Sequence, residues 1–157
     1  MTWRMPAEGE LHERTWMAYP SEGYSLGDTP EEHHEARTTW AEVAHAVARF
    51  EPVTVVVDPG QVSAAEEYLS ADIDIVAAPL NDAWMRDIGP TFVLSEDGHL
   101  GGVDWIFNGW GGQDWPSGTR TRRSAHWCRA VGGPNSSTHR SSTRAAASMS
   151  TASAPCW

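Results

Sequence analysis

The sequence predicts an α/β protein, and three observations carry that reading. Pro52 to Val57 is a nearly unbroken β-branched run, the composition of a strand buried on both faces of a parallel sheet. Upstream, Thr29-Pro30-Glu31-Glu32 is a helix start, with Thr as N-cap, Pro at the first helical position and Glu three residues after the cap. Downstream, two apolar runs flank Glu96-Asp97-Gly98, the composition of a hairpin turn. Strands alternating with helices, then a hairpin, define the class.

The elements follow in order. Thr15 to Tyr19 alternates weakly and reads as a short strand that Pro20 ends, and Ser21 to Asp28, with its Gly and Ser residues, reads as a loop. The helix opened by Thr29 runs to about Phe50, with Ala36, Trp40, Val43, Ala44, Val47 and Phe50 on one apolar face. Trp40 is therefore assigned to the core. After the Pro52–Val57 strand, Asp58-Pro59-Gly60 turns the chain. A short helix follows from Val62 to Leu69, and a strand from Ile73 to Ala77. Thr91 to Leu94 and Leu100 to Phe107 are the arms of the hairpin.

Composition narrows the function classes. A chain of 157 residues suits one domain with a modest core. Its net charge of −10 is unevenly spread: all 21 acidic residues lie at or before Asp114, together with five Arg and no Lys, a balance of −16. From Trp115 onward six Arg stand alone, a balance of +6. Both cysteines, Cys128 and Cys156, sit in that basic tail, so neither a disulfide framework nor a cysteine metal site is spelled out. His33 and His34 are adjacent on the helix and point about 100° apart, which suits a polar face better than a shared metal. No secretory signal is read at the N-terminus and no run approaches a membrane span, so the expected location is the cytoplasm.

The chemistry concentrates in Asn81-Asp82-Ala83-Trp84-Met85-Arg86-Asp87-Ile88-Gly89-Pro90-Thr91-Phe92, squeezed between two strands. Loops after strand ends are where functional side chains gather. An indole beside a carboxylate reads as a pocket wall for a cation. The same residues read equally well as a structural Arg–Asp ion pair.

This stretch resembles the agmatine deiminase family, within the wider peptidyl-arginine deiminase (pentein) group, which carries a Trp-Met-Arg-Asp block followed by Gly-Pro-Thr. Two further blocks match in order: Met5-Pro6-Ala7-Glu8 through His12-Glu13-Arg14-Thr15-Trp16-Met17-Ala18-Tyr19-Pro20, and Gly102-Val103-Asp104-Trp105-Ile106-Phe107-Asn108-Gly109-Trp110-Gly111-Gly112. The likeness covers roughly residues 3 to 115. It implies part of an α/β propeller, about one to two blades of a pentein fold, without metal or cofactor. The implied substrate is a small guanidinium cation, agmatine, with no nucleic-acid or membrane partner and with a homo-oligomer open for full-length members. Agmatine and water would give N-carbamoylputrescine and ammonia, towards putrescine. Peptidyl-arginine deimination, or a fragment that only binds guanidinium compounds or has no function, are the alternatives.

Deimination needs carboxylates for the forked N–H groups of a guanidinium, a thiolate to attack its central carbon, and a His to handle protons. By resemblance Asp87 is the catalytic carboxylate that clamps the guanidinium, and Trp84 lines the same pocket. Asp82 and Trp110 are candidates for its rim, and Trp16 is divided between pocket and core, with core favoured. Arg86 would repel a cation and is expected to pair with an acidic neighbour. Ile88 stands where the family has a polar residue, and Gly9 where it has Trp. The family's Cys lies in a Gly-rich motif of a chain more than twice this long, and its His in a His-Val-Asp triplet; neither motif is present. Cys128, with His126 nearby, and Cys156 lack that context and are not read as nucleophiles. The chain as given is therefore expected to be inactive.

Residues 1–115 are accordingly one segment and 116–157 a low-complexity, disordered tail without apolar periodicity. Synonymous codons chosen for Arg140 to Trp157 and read two bases later give IVNEGGGIHVDGERTVL, which resembles a downstream agmatine deiminase segment. The tail is thus expected to be out of frame.

Overall fold

A computed structural model describes residues 2–21, 25–80 and 82–104 and the backbone of 137–140. Its described residues divide into two compact units: residues 11–85, and a second that joins residues 2–10 to residues 86–104 and 137–140.

The unit of residues 11–85 is built on a parallel sheet. Strands β2 (Thr15–Ala18), β3 (Val53–Val57) and β4 (Asp74–Ala77) lie in that order, with β3 central, and Met17, Val55 and Ile75 share one register row. All five β3 residues are buried, as the β-branched run predicts. On one face Tyr19, Val53, Val55, Val57 and Ile73 pack against Ala41 and Ala44 of helix α1 (Pro30–Ala48) and Ala65 of helix α2 (Val62–Glu66). Burying each valine side chain contributes about 1.5 kcal/mol or more. The other face buries Trp16, Ala18, Thr54 and Val56.

Helix α1 starts where its signal places it. The Thr29 side chain accepts from the Glu32 amide, while Glu32 Oε2 accepts from the Thr29 and Asp28 amides, a complete capping box. Its apolar face differs from the predicted one. Val43 is half exposed and Phe50 is 84% exposed, whereas Trp40, Ala41, Ala44, Val47 and Ala48 form the packed stripe. The alanines let the helix approach the sheet closely, so the stripe is centred on Ala44 and Val43 falls about 100° to its side. Between β3 and α2, Pro59–Gln61 makes a 3₁₀ turn, with Asp58 Oδ1 accepting from the Gly60 amide at 2.9 Å.

The second unit is organised by the predicted hairpin. Strands β5 (Thr91–Ser95) and β6 (Leu100–Asp104) pair antiparallel, with Phe92 opposite Gly102. Gly98 takes φ +79° in the turn, a conformation an L side chain resists. Ser95 closes the turn, its Oγ accepting from the His99 amide at 2.9 Å. Strand β1 (Trp3–Arg4), which two residues cannot announce by periodicity, adds antiparallel to β5. Its Trp3 ring lies so close to Gly101 that a Cβ there would come 2.7 Å from the ring. Strand β7 (Ser137–Arg140) pairs parallel with β6. It falls inside residues 116–157, where the sequence predicts no element. Residues 105–107, the expected end of the second hairpin arm, lie outside the described residues.

Candidate functional site

Ligands of parallel α/β sheets bind outside the carboxyl ends of the strands, and that end of the residue 11–85 unit carries a dense set of loop contacts. The Leu80 amide donates to Asp58 Oδ2 at 3.2 Å, so one carboxylate holds both the turn after β3 and the segment after β4. Ser21 Oγ donates to the Leu80 carbonyl, which adds the segment after β2. Ser25 Oγ donates to Asp82 Oδ1 at 2.9 Å, and the Ala83 amide donates to the same oxygen at 2.7 Å. Asp82, expected at a pocket rim, is 4% exposed and acts inside the loop, and its Oδ2 is buried without a hydrogen-bond partner.

Two residues on, the side chain emerges. Trp84 is 43% exposed, with its ring edge-on to Trp40 of α1 at 5.7 Å between centroids and 66° between planes. Trp40 lies among the partly buried residues that pack against the core. Trp16 on β2 is buried at 7% exposure, with the Arg14 guanidinium 6.0 Å from its ring centroid.

Helix α3 (Met85–Ile88) is a single turn, and the division between the two units falls inside it, after Met85. Asp87 on this turn is half-buried and Arg86 exposed. Among the described residues Arg86 forms no ion pair, so its expected acidic partner is not found there. Ile88 is buried at 5% exposure, which suits its apolar side chain. At Gly9 a Cβ would meet nothing within 4 Å, so that departure leaves open space. Trp110, His126, Cys128 and Cys156 lie outside the described residues.

Polar contacts at the other end of the same sheet were not legible from motif spacing. Glu51 takes the His12 ring on one carboxylate oxygen, at 3.0 Å, and the Thr15 hydroxyl on the other. Arg14 donates to Thr54 Oγ1 at 2.7 Å and to Asp74 Oδ2 at 3.1 Å, reaching across β3 to β4. The block His12-Glu13-Arg14-Thr15 held the signal, but its partners are 36 to 60 residues away. The helix histidines have separate local partners. His33 Nε2 lies 3.2 Å from the Gly27 carbonyl, His34 Nδ1 lies 2.9 Å from Tyr68 Oη, and His45 Nε2 accepts from the Ser70 amide at 3.1 Å. Among the described residues no group of three or more His, Cys, Asp or Glu could hold a metal ion. No described helix is long and apolar enough to cross a membrane.

The Arg4 side chain, bound bidentately at 2.6 and 2.9 Å, holds the Glu10 carboxyl down at about 2, helped by the Ala7 amide. Backbone amides of Asp28 and Thr29 lower Glu32. Burial pushes the Tyr19 phenol up, and its hydroxyl has no hydrogen-bond partner.

A family model described as Porphyromonas-type peptidyl-arginine deiminase matches residues 4–143. A Streptomyces coelicolor protein provisionally assigned as an agmatine deiminase is 58% identical over 115 residues, covering 73% of this chain and 34% of that protein. The agmatine deiminase of Pseudomonas aeruginosa is 47% identical over 112 residues, covering 69% of this chain and 29% of that protein. Among solved structures, the agmatine deiminase of Enterococcus faecalis superposes with a TM-score of 0.75 at 31% identity, over 89% of this chain and 38% of that one. The chain thus spans about a third of the length of the relatives it matches.

Proposed function

Because the chain belongs to the Porphyromonas-type peptidyl-arginine deiminase family, we propose that it is part of an agmatine deiminase-like hydrolase, one that converts agmatine and water to N-carbamoylputrescine and ammonia. Its two sheets belong to a pentein fold, on the scale of one to two blades. The reading is carried by the Trp84-Met85-Arg86-Asp87 block in a chain 47% identical to the Pseudomonas enzyme over 112 residues.

In this reading Asp87 accepts the forked N–H groups of the guanidinium, a bidentate charge-assisted pair. Trp84 covers the planar cation with its indole, Trp110 lines the same site, and Trp16 is assigned to the core. Asp82 is assigned to holding the loop. The acidic balance of residues 1–114 favours a dicationic substrate over nucleic acid. The cytoplasm is the proposed location, on a route towards putrescine, with homo-oligomers left to longer members. Residues 1–115 contain no Cys. The covalent step needs a thiolate, and Cys128 and Cys156 lack the Gly-rich context of the family's nucleophile, so in this reading the 157-residue polypeptide by itself binds guanidinium compounds without turning them over. The description of the family model favours one competitor, peptidyl-arginine as substrate, and competition between agmatine and an arginine-containing peptide ranks the two.

Calorimetric titration with agmatine, alongside an ammonia-release assay, tests the proposal. The expected result is saturable binding, no ammonia, and at least about tenfold weaker binding in Asp87→Ala, since hydrogen bonds to charged groups are worth roughly 1.5–3 kcal/mol. Ammonia release that survives Asp87→Ala would refute both the site and the mechanism. We also infer that residues 116–157 are translated out of frame, on the loss of every acidic residue and on the string IVNEGGGIHVDGERTVL. Resequencing the DNA over codons 110–157 and past the stop tests this: a missing base or two makes the tail a sequencing error, an unchanged read whose shifted frame encodes IVNEGGGIHVDGERTVL makes the frameshift natural, and a shifted frame without that string refutes it.

A further inference from the structure

We propose that Trp40 of α1 is a positioning residue for Trp84, fixing the plane of the exposed indole for stacking against a planar guanidinium cation. The inference rests on the guanidinium-binding reading and deepens it. The sequence assigns Trp40 to the core, yet in the structure it does two things at once. It packs against the buried cluster of the parallel sheet, and it meets the Trp84 ring edge-on at 5.7 Å. Trp84 itself is 43% exposed, so the described residues do not enclose it. An exposed indole on a loop loses rotamer freedom when it binds a ligand, and an aromatic neighbour that restricts it beforehand lowers that cost.

Two further contacts make the arrangement rigid at its base. Asp82 Oδ1 takes both the Ser25 hydroxyl and the Ala83 amide, which fixes the backbone immediately before Trp84. Helix α1, which carries Trp40, is anchored by its capping box and by Ala41 and Ala44 in the core. The edge-on geometry matches the preferred arrangement of aromatic pairs. A cation is attracted to the face of an indole, which the edge-on contact orients.

The test is a double-mutant cycle on the full chain, titrated with agmatine by calorimetry, using Trp40→Leu, Trp84→Ala and the double variant. Trp40→Leu should weaken binding about three- to tenfold, the range of an aromatic pair, and Trp40→Phe should recover part of it. In the Trp84→Ala background Trp40→Leu should have no further effect. Far-ultraviolet circular dichroism gives an independent signature, an exciton signal from the coupled indoles lost equally in either single variant while the melting temperature of Trp40→Phe stays near that of the parent. If Trp84→Ala weakens binding but Trp40→Leu does not, or acts equally in both backgrounds, positioning by Trp40 is refuted and the guanidinium reading stands. If the parent chain does not bind agmatine, or binds it independently of Trp84, both are refuted.

Discussion

The two ends of the parallel sheet use polar side chains in opposite ways. At the amino end they satisfy one another: Glu51 divides its oxygens between His12 and Thr15, and Arg14 joins Thr54 to Asp74. At the carboxyl end they satisfy backbone and hold loops: Asp58 takes the Gly60 and Leu80 amides, and Asp82 takes the Ala83 amide together with Ser25. At the first end side chains pair with side chains. The second keeps a buried acceptor unpaired, Asp82 Oδ2, and leaves Trp84 half out of the fold. Polar density alone therefore does not distinguish the candidate site: the carboxyl end differs in turning its carboxylates on backbone amides while an indole stays exposed.

Substitutions at the two ends should therefore separate stability from binding. Asp58→Ala carries the largest expected effect. It should cost about 3 kcal/mol in urea denaturation, since two amides lose a charged acceptor, and it should also weaken agmatine binding because the segment before Trp84 loosens. Glu51→Ala should cost about 2 kcal/mol and leave the affinity for agmatine unchanged. Equal losses of affinity in the two variants would erase the distinction between the ends. Asp82→Asn comes next: the amide oxygen can keep the Ser25 and Ala83 contacts, while the amide nitrogen puts two N–H donors where the buried Oδ2 has no partner, so stability in urea should fall by about 1 kcal/mol. A midpoint that holds or rises would mean that an acceptor reaches this position in solution.

The smallest effect is set outside that sheet, at the Arg4–Glu10 fork. Arg4 lowers the folded carboxyl to about 2 from its ordinary 4.5, so the fork stabilises the fold above the ordinary carboxylate range. That contribution is lost as pH falls through about 2. The Ala7 amide, which donates to the same carboxylate, reports it: its NMR shift should titrate near the lowered value. A midpoint near 4.5 would show the fork open in solution.

Much of the architecture was legible because its signals are local. The capping box at Thr29, the β-branched run of β3 and the Glu96–Gly98 turn each lie within a few residues, and each produced the expected element. Strand β1 was missed because two residues carry no period, and Val43 and Phe50 were placed in the core because small alanines give a weak hydrophobic signal for a close-packed stripe. At the candidate site, the Trp84–Asp87 block stood out by composition. The hold that Ser25 has on Asp82, and the contact of Trp40 with Trp84, join residues 57 and 44 positions apart. No spacing rule reaches that far; tertiary packing decides it.

His45 carries a consequence of another kind. Its Nε2 accepts the Ser70 amide, so that nitrogen must present a lone pair and the ring's proton must reside on Nδ1. One tautomer is thereby selected for a side chain that in water exchanges between two. Anything that claims the lone pair, whether a proton, an alkylating reagent or a soft metal ion, competes directly with the closure after α2. The chain segment leading into β4 is thus tethered by a bond that chemistry can cut without changing a single residue.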